Sequence, residues 1–350
     1  MLAYLHIPFC DSKCHYCAFN SFVGAHEFKK QYALSMTEQL RQDLEKFEAQ
    51  KGQISSFFIG GGTPSTCETS FYRDFFKCIK PFLSPNCEIT SEANPNSATI
   101  DWLGGMKELG VNRISFGVQS FFDEKLKFLG RSHDSQMAKK AILDAKKLGF
   151  ENISLDLMYA TKFDNKKNLL QELEIASSLG VNHISAYSLT IEENTPFYHK
   201  KDVQNDDIDL AKFLVQNLEQ KGFSRYEVSS FGHPCKHNLS YWQHKPYLGI
   251  GAGAVGFDGK KRYYPHKDLK DYIKNPFFAK EENLSKDDLI LEKIFLGLRS
   301  KIGVKKSILS KEQLEKTKLL VKEKKLICKN EIYYCNDFFL ADEMALFLMD

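Results

Sequence analysis

The chain has 350 residues, 43% hydrophobic and 13% aromatic, enough for one large core and a smaller appendage. Lys and Arg number 48 against 45 Asp and Glu, so no global polyanion-binding surface exists and nucleic acid is not expected as a partner. No window approaches the ~20 apolar residues that cross a bilayer, and residues 1–8 lack the basic segment and apolar run of an export signal.

A cytoplasmic, reducing setting is therefore expected for the nine cysteines. There, thiols grouped in sequence point to metal and scattered ones to packing. The first expected strand, 2–7, runs into HIPFCDSKCHYCAFN, which sets Cys10, Cys14 and Cys17 at C-x3-C-x2-C. Thiolates are soft ligands, and three of them leave one iron of a four-iron cluster open to a small molecule. A zinc site completed by His6, His15 or His26 is the alternative, but zinc sites usually pair two C-x2-C units. The other six cysteines, Cys67, Cys78, Cys87, Cys235, Cys328 and Cys335, are scattered.

Further strands are expected at 54–59, 87–93, 112–117, 152–157 and 183–188, with helical patterns between them, as at 26–48 and 134–148. Three segments repeat: LGVNRIS at 109–115, LGFENIS at 148–154 and LGVNHIS at 179–185. In each, Leu-Gly ends an amphipathic stretch and an apolar run follows, as where a helix passes into a buried parallel strand. Gly60–Thr63, Glu92, Gln119, Asp156 and Ser188 fall at or just after strand C-termini, the rim where parallel barrels bind ligands. Six such units are fewer than the eight of a closed barrel. The expected fold is α/β, a partial (β/α)6 TIM-like barrel over 1–200.

Beyond it, 205–221 reads as helix, 223–229 as strand, and 232–266 as a loop region rich in Gly, Pro and His. Residues 201–284 are expected to complete the barrel. Residues 285–350 carry two helical stretches and a short strand, 329–335, as in a small helical or winged-helix-like domain. Ten lysines and three glutamates fall within 301–330. Solvated helix surfaces are the first reading of that excess, and a peripheral contact with the anionic inner membrane face the second.

The cysteine spacing, with Tyr16 before Cys17, resembles the cluster loop of the radical S-adenosylmethionine (SAM) superfamily. Tyr4-x-His6-Ile7-Pro8-Phe9-Cys10, Gly60-Gly61-Gly62-Thr63-Pro64, Gly117-Val118-Gln119-Ser120 and Tyr226-Glu227-Val228-Ser229 resemble its coproporphyrinogen-dehydrogenase-like branch. Within that branch the likeness is to the HemW haem chaperones, and it continues through Phe295–Arg299. The resemblance implies a [4Fe–4S] cluster on Cys10, Cys14 and Cys17. It implies SAM on Tyr4, Tyr16, Gly61, Gly62, Thr63, Glu92, Gln119, Arg131 and Asp156. One departure follows Asp156: Ala160-Thr161-Lys162 stands where the branch has Gly-Leu-Pro.

Two activities fit that branch: oxygen-independent coproporphyrinogen III dehydrogenation, and haem carriage to respiratory haem proteins. Phe19 holds the place of the dehydrogenase's fourth cysteine, and only nine residues precede Cys10. His237-Asn238-Leu239-Ser240-Tyr241-Trp242 matches the HNxxYW haem motif, so the chaperone is favoured. The resemblance gives haem contacts to His237, Asn238, Tyr241 and Trp242, with His233, Cys235 and His244 as further candidate ligands. The bland alternative is a loop whose Tyr and Trp pack on the barrel mouth.

Overall fold

The computed structural model describes residues 1–205 and 207–349. Seven strands run parallel in one open sheet. They are β1 (Leu2–Ile7), β2 (Ile54–Gly61), β3 (Leu83–Ala93), β4 (Arg113–Gln119), β5 (Asn152–Tyr159), β6 (His183–Ser188) and, across β1 from β2, β8 (Tyr247–Ile250). Antiparallel edges flank them. β7 (Ser230–Gly232) pairs with β6, and β9 (Gly256–Phe257), β10 (Lys261–Pro265) and β11 (Ala279–Asn283) follow β8 in order. The sheet order is β11-β10-β9-β8-β1-β2-β3-β4-β5-β6-β7, an open barrel with two separate edges.

The three Leu-Gly repeats do end helices. Gly110, Gly149 and Gly180 all have positive φ, the backbone state that lets a helix stop and turn into a strand. They follow α3 (Ile100–Leu109), α5 (Ser135–Lys147) and α6 (Lys166–Ser178), which with α1 (Lys29–Lys46), α2 (Arg73–Ile79), α4 (Asp123–Leu129), α7 (Ile208–Gln220) and α9 (Leu269–Lys274) pack around the sheet. The asparagine of two repeats adds a function of its own. Asn112 accepts from Ile89 N and donates to Cys87 O, while Asn182 accepts from Ile153 N and donates to Glu151 O. Each side chain thus continues the hydrogen-bonding of the preceding strand. Ala138, Ala141, Ile142 and Ala145, spaced three and four apart on α5, join Ile114, Phe116, Ile153 and Leu155 in the main core.

Three regions depart from expectation. No strand spans 223–229. The chain reverses there, with Tyr226 N donating to Ser230 O and Arg225 bridging Phe231, so that 230–232 becomes the strand. The region 232–266 is largely ordered structure, helix α8 (Lys236–Trp242) followed by β8, β9 and β10. The strand at 329–335 is a hairpin, β13 (Leu326–Lys329) and β14 (Ile332–Cys335), turned by Asn330 and Glu331, both at positive φ.

With β12 (Val304–Lys305), that hairpin joins α10 (Lys286–Leu298), α11 (Lys311–Lys322) and α12 (Ala341–Met349) around a second core. Ile294, Leu298, Val304, Leu320, Tyr333 and Met344 fill it. No helix among the described residues is long and apolar enough to cross a membrane.

Candidate cofactor site

Strand side chains alternate, so one set from β1–β6 faces the barrel interior and the other packs under the helices. At the rim the cysteine loop leaves β1. The Cys10 thiol lies 3.4 Å from Thr63 Oγ1, and Arg131 Nη1 lies 3.3 Å from Cys14 Sγ. Arg131 Nη2 also donates to Asn94 Oδ1 (2.6 Å) and Gly117 O (2.7 Å), and Asn94 Nδ2 donates to Thr63 Oγ1 (3.1 Å). Arg131 and Asn94 therefore tie together the ends of β2, β3 and β4 and one thiol of the loop. The loop is pinned from outside as well. His15 Nδ1 donates to Phe128 O (2.8 Å) and His15 N to Leu129 O (3.0 Å).

The glycine run acts by closeness more than by offering N–H groups. Gly61 N donates to Glu92 Oε2 (3.1 Å), Gly62 N to Ile7 O (2.7 Å) and Thr63 N to Phe9 O (2.8 Å). A Cβ on Gly62 would stand 2.9 Å from Ile7 O and 3.1 Å from Cys10 Sγ. One on Gly61, at φ +116°, would stand 2.5 Å from the His6 ring. Only glycine lets β2 pass this close to the thiol loop.

His6, weighed in the sequence only as a zinc ligand, instead orients Tyr4. Asn20 O can only accept, so His6 Nε2 carries the proton (2.8 Å), and Nδ1 accepts from Tyr4 OH (2.9 Å). Asn94 escaped notice, although it lies two residues beyond Glu92 at the same strand end.

Two carboxylates face each other inside the rim. Burial, and then the Asp156 charge, push the Glu92 carboxyl up to about 8. Burial likewise lifts Asp156 to about 6, against hydrogen bonding from Ser185 and the charge of Arg113. Such a pair is costly without a cation to face. Tyr16 is hydrogen-bonded to Arg131 and held well above its ordinary range by burial. Gln119 ends β4 buried and at φ +67°, a conformation that side chains rarely adopt.

Burial raises the Cys17 thiol, and the neighbouring Cys14 and Cys10 raise it further. Among the described residues no three His, Cys, Asp or Glu side chains are set to hold a single metal ion. A four-iron cluster asks for something else, since each thiolate would bind a different iron. The donor set is right for it: three adjoining thiols and a guanidinium on one of them. Arg131 Nε is also buried with no partner among the described residues.

The haem-motif residues lie elsewhere. Leu2 pairs with Ser56 and Ser56 with Glu88, so these residues mark the floor, the end of the barrel away from Gly60–Thr63. Helix α8 closes that floor. His237, 1% exposed, has Nδ1 2.8 Å from Ser56 Oγ, and its backbone N–H donates to Glu88 Oε1 (3.2 Å). Burial and the nearby Arg113 charge lower this imidazole to about 3, so it is neutral, and Nε2 has no partner among the described residues. Cys235 Sγ also donates to Glu88 (3.4 Å). Tyr226 OH links Cys235 N (3.2 Å) to His183 Nε2 (2.8 Å), and His183 Nδ1 meets Ser154 Oγ (2.6 Å).

The segment expected as a loop with an available histidine is thus a helix whose histidine points into the floor. Asn238, Tyr241 and Trp242 are half-buried on it. A polar groove of about 670 Å³, lined by Lys107, Asn112, His233 and Lys236 among others, also opens on this side and not at the thiols.

An open parallel barrel with three thiols in a loop after its first strand, faced by strand-end carboxylates, is the architecture of a radical SAM protein. The radical SAM superfamily model matches residues 4–176. The coproporphyrinogen III oxidase HemN of Escherichia coli has the same fold, with a TM-score of 0.82 at 20% identity, covering 99% of this chain and 89% of that one.

Whole-chain likeness goes further. The heme chaperone HemW of Bacillus subtilis (strain 168) is 35% identical over 324 residues, 87% of this chain and 84% of that protein. That of Escherichia coli (strain K12) is 39% identical over 262 residues, 72% and 69% of the two chains. The chain belongs to the HemW heme chaperone family.

Proposed function

We propose that this chain carries haem to haem-accepting respiratory proteins while holding a [4Fe–4S] cluster on Cys10, Cys14 and Cys17 and SAM at the barrel rim. It acts in the cytoplasm or at the inner membrane face. The observation that carries the reading is the co-occurrence, in a chain related to heme chaperones over most of its length, of HNLSYW on α8 and Phe19 in place of a fourth cysteine.

The chemistry that cluster and SAM bring, when bound, is one-electron cleavage of a sulfonium. The residues here hold and orient. Arg131 fixes Cys14 and supplies a buried cation for a carboxylate, and Glu92 and Asp156 face an ammonium or ribose hydroxyls. Tyr4, oriented by His6, and Tyr16, oriented by Arg131, wall the site. Gly61, Gly62 and Thr63 allow close approach, and Gln119 closes the β4 side. On α8, His237, Asn238, Tyr241 and Trp242 form the haem-binding element.

The test is anaerobic reconstitution followed by parallel assays of haem binding and coproporphyrinogen III turnover with reduced cluster and SAM. Binding without turnover is the expected result. Sustained SAM-dependent decarboxylation would instead make the chain a dehydrogenase.

A further inference from the structure

The buried position of His237 raises the question of where a macrocycle meets α8. The C-terminal end of that helix borders a cavity of about 280 Å³, lined by Tyr241, Tyr247, Phe257, Phe295 and Leu296, with His244 and Arg262 at its polar side. It lies between α8, the β8–β10 strands and α10. Tyr241 and Tyr247 meet edge to face with ring centroids 4.7 Å apart, and His244 lies 4.7 Å from the Phe257 ring. Its one carboxylate, Glu292, is already engaged. It accepts from His244 Nε2 (2.6 Å) and from Arg262 Nη2. Lys245 adds a second cation to the lining.

We propose that this cavity is the haem seat. One edge of the macrocycle lies between Tyr241 and the Phe295–Leu296 wall, and a propionate lies against Arg262 and Lys245. The proposal rests on the reading of the chain as a haem carrier.

The chemistry selects the occupant. Aromatic and aliphatic walls take a flat apolar body, and the polar side, where Arg262 is shared by Glu292 and Glu282 and Lys245 adds a further cation, takes an anion. The size selects the mode. Enclosed ligand sites usually hold about 300–1,000 Å³, so this cavity grips an edge and leaves the rest of the ring free, as suits cargo that is handed on. Tyr241 belongs to the HNxxYW motif, one helical turn beyond His237 and in edge contact with its ring, so the motif contributes to the seat through Tyr241, while His237 anchors α8 in the floor.

The cluster-loaded protein is titrated with haemin, read by its visible spectrum, and with iron-free protoporphyrin, read by fluorescence. Both should bind, because the seat reads ring faces and propionates. Leu296→Glu, which places a carboxylate against the ring, should weaken both ligands at least about tenfold. Leu296→Ser, milder for folding, should weaken both several-fold, and Arg262→Gln should do likewise. Lys107→Gln, in the separate polar groove, should leave porphyrin affinity within about threefold of the parent.

Unchanged affinity in Leu296→Ser and Leu296→Glu, with cluster content intact, would overturn the seat, and so would haemin binding without porphyrin binding. A parent chain that binds neither ligand would remove the carrier reading itself.

Discussion

At the rim, where the parallel strands end, polar groups stand without complete partners: Arg131 Nε, the facing carboxyls of Glu92 and Asp156, and three thiols in one loop. At the floor, a helix has been set into the barrel and a chain of polar contacts runs from Ser56 and Glu88 through His237 and Cys235 to Tyr226, His183 and Ser154. Buried polar groups without partners are expensive, so they persist where a ligand completes them. By that measure the rim is built to be filled from solution. The floor is largely closed by the chain itself, although His237 Nε2 there also lacks a partner among the described residues.

The largest expected effect separates the rim thiols from the rest. Cys10→Ala, Cys14→Ala or Cys17→Ala should abolish cluster assembly, read as iron and sulfide after anaerobic reconstitution, whereas Cys67→Ala, Cys78→Ala or Cys328→Ala should keep it. Zinc bound in place of iron and sulfide would end the cluster reading.

Next comes Arg131→Lys. A point charge cannot serve Cys14, Asn94, Gly117 and a bound carboxylate together, so SAM affinity should drop by about 1.5–3 kcal/mol, roughly tenfold to a hundredfold. At the floor, His237→Ala should leave the cluster untouched. It should lower thermal stability by about 2 kcal/mol, because it removes a buried ring packed on Phe58 and Tyr241 and bonded to Ser56. Equal loss of cluster in that variant would show that the two ends are not separate.

The acidic pair at the rim makes the comparison pH-dependent. Glu92 rises from 4.5 to about 8, and Asp156 from 3.8 to about 6. Across that window the folded, ligand-free chain binds more protons than the unfolded chain, so its stability should fall as pH rises. SAM brings a sulfonium and an ammonium, which favour the ionised carboxyls. Its affinity should therefore climb between about pH 6 and 8, and Glu92→Gln should flatten the climb. Titration of SAM binding at several pH values checks this. A flat profile in the parent chain would remove Glu92 from the site.

Gly60–Thr63, Glu92 and Gln119 were legible as strand ends, because strand ends follow from the apolar runs, whereas Tyr4, Tyr16 and Arg131 rested on the family resemblance alone. The floor was not legible, for reasons that can be named. Helix α8 carries no apolar stripe, because the face it buries, His237 and Ser240, meets a polar interior. Strand β8 hides in a glycine run that reads as loop. There a side chain on Gly249 would collide with Val255 O, and one on Gly251 with Tyr32 Oη, so glycine is what lets the strand pack. His6 and Asn94 act through partners distant in sequence, Asn20, Thr63 and Arg131, which no local pattern announces.

The smallest expected effect lies where the chain departs from its branch. Ala160 follows β5 at φ +60°, the position where the branch has glycine. The turn keeps its shape by other means. Thr161 N and Oγ1 both donate to Asp164 Oδ2 (2.8 and 2.7 Å), Asp164 Oδ1 accepts from Lys125 Nζ (2.7 Å), and Asn205 N donates to Ala160 O (2.8 Å). In Ala160→Gly three terms oppose one another. Relief of the left-handed conformation contributes about 1–2 kcal/mol. The extra chain freedom of glycine costs about 0.5–1 kcal/mol, and loss of a buried methyl costs about 0.8 kcal/mol. They should cancel to within about 0.5 kcal/mol, moving the melting temperature by less than about 2 °C. Gly61→Ala, with the His6 ring 2.5 Å from the new carbon, has no such compensation and should disrupt the rim. A large stability change or lost SAM affinity in Ala160→Gly would show that the alanine shapes the Asp156 neighbourhood, and that the rim's strain there is functional and not merely tolerated.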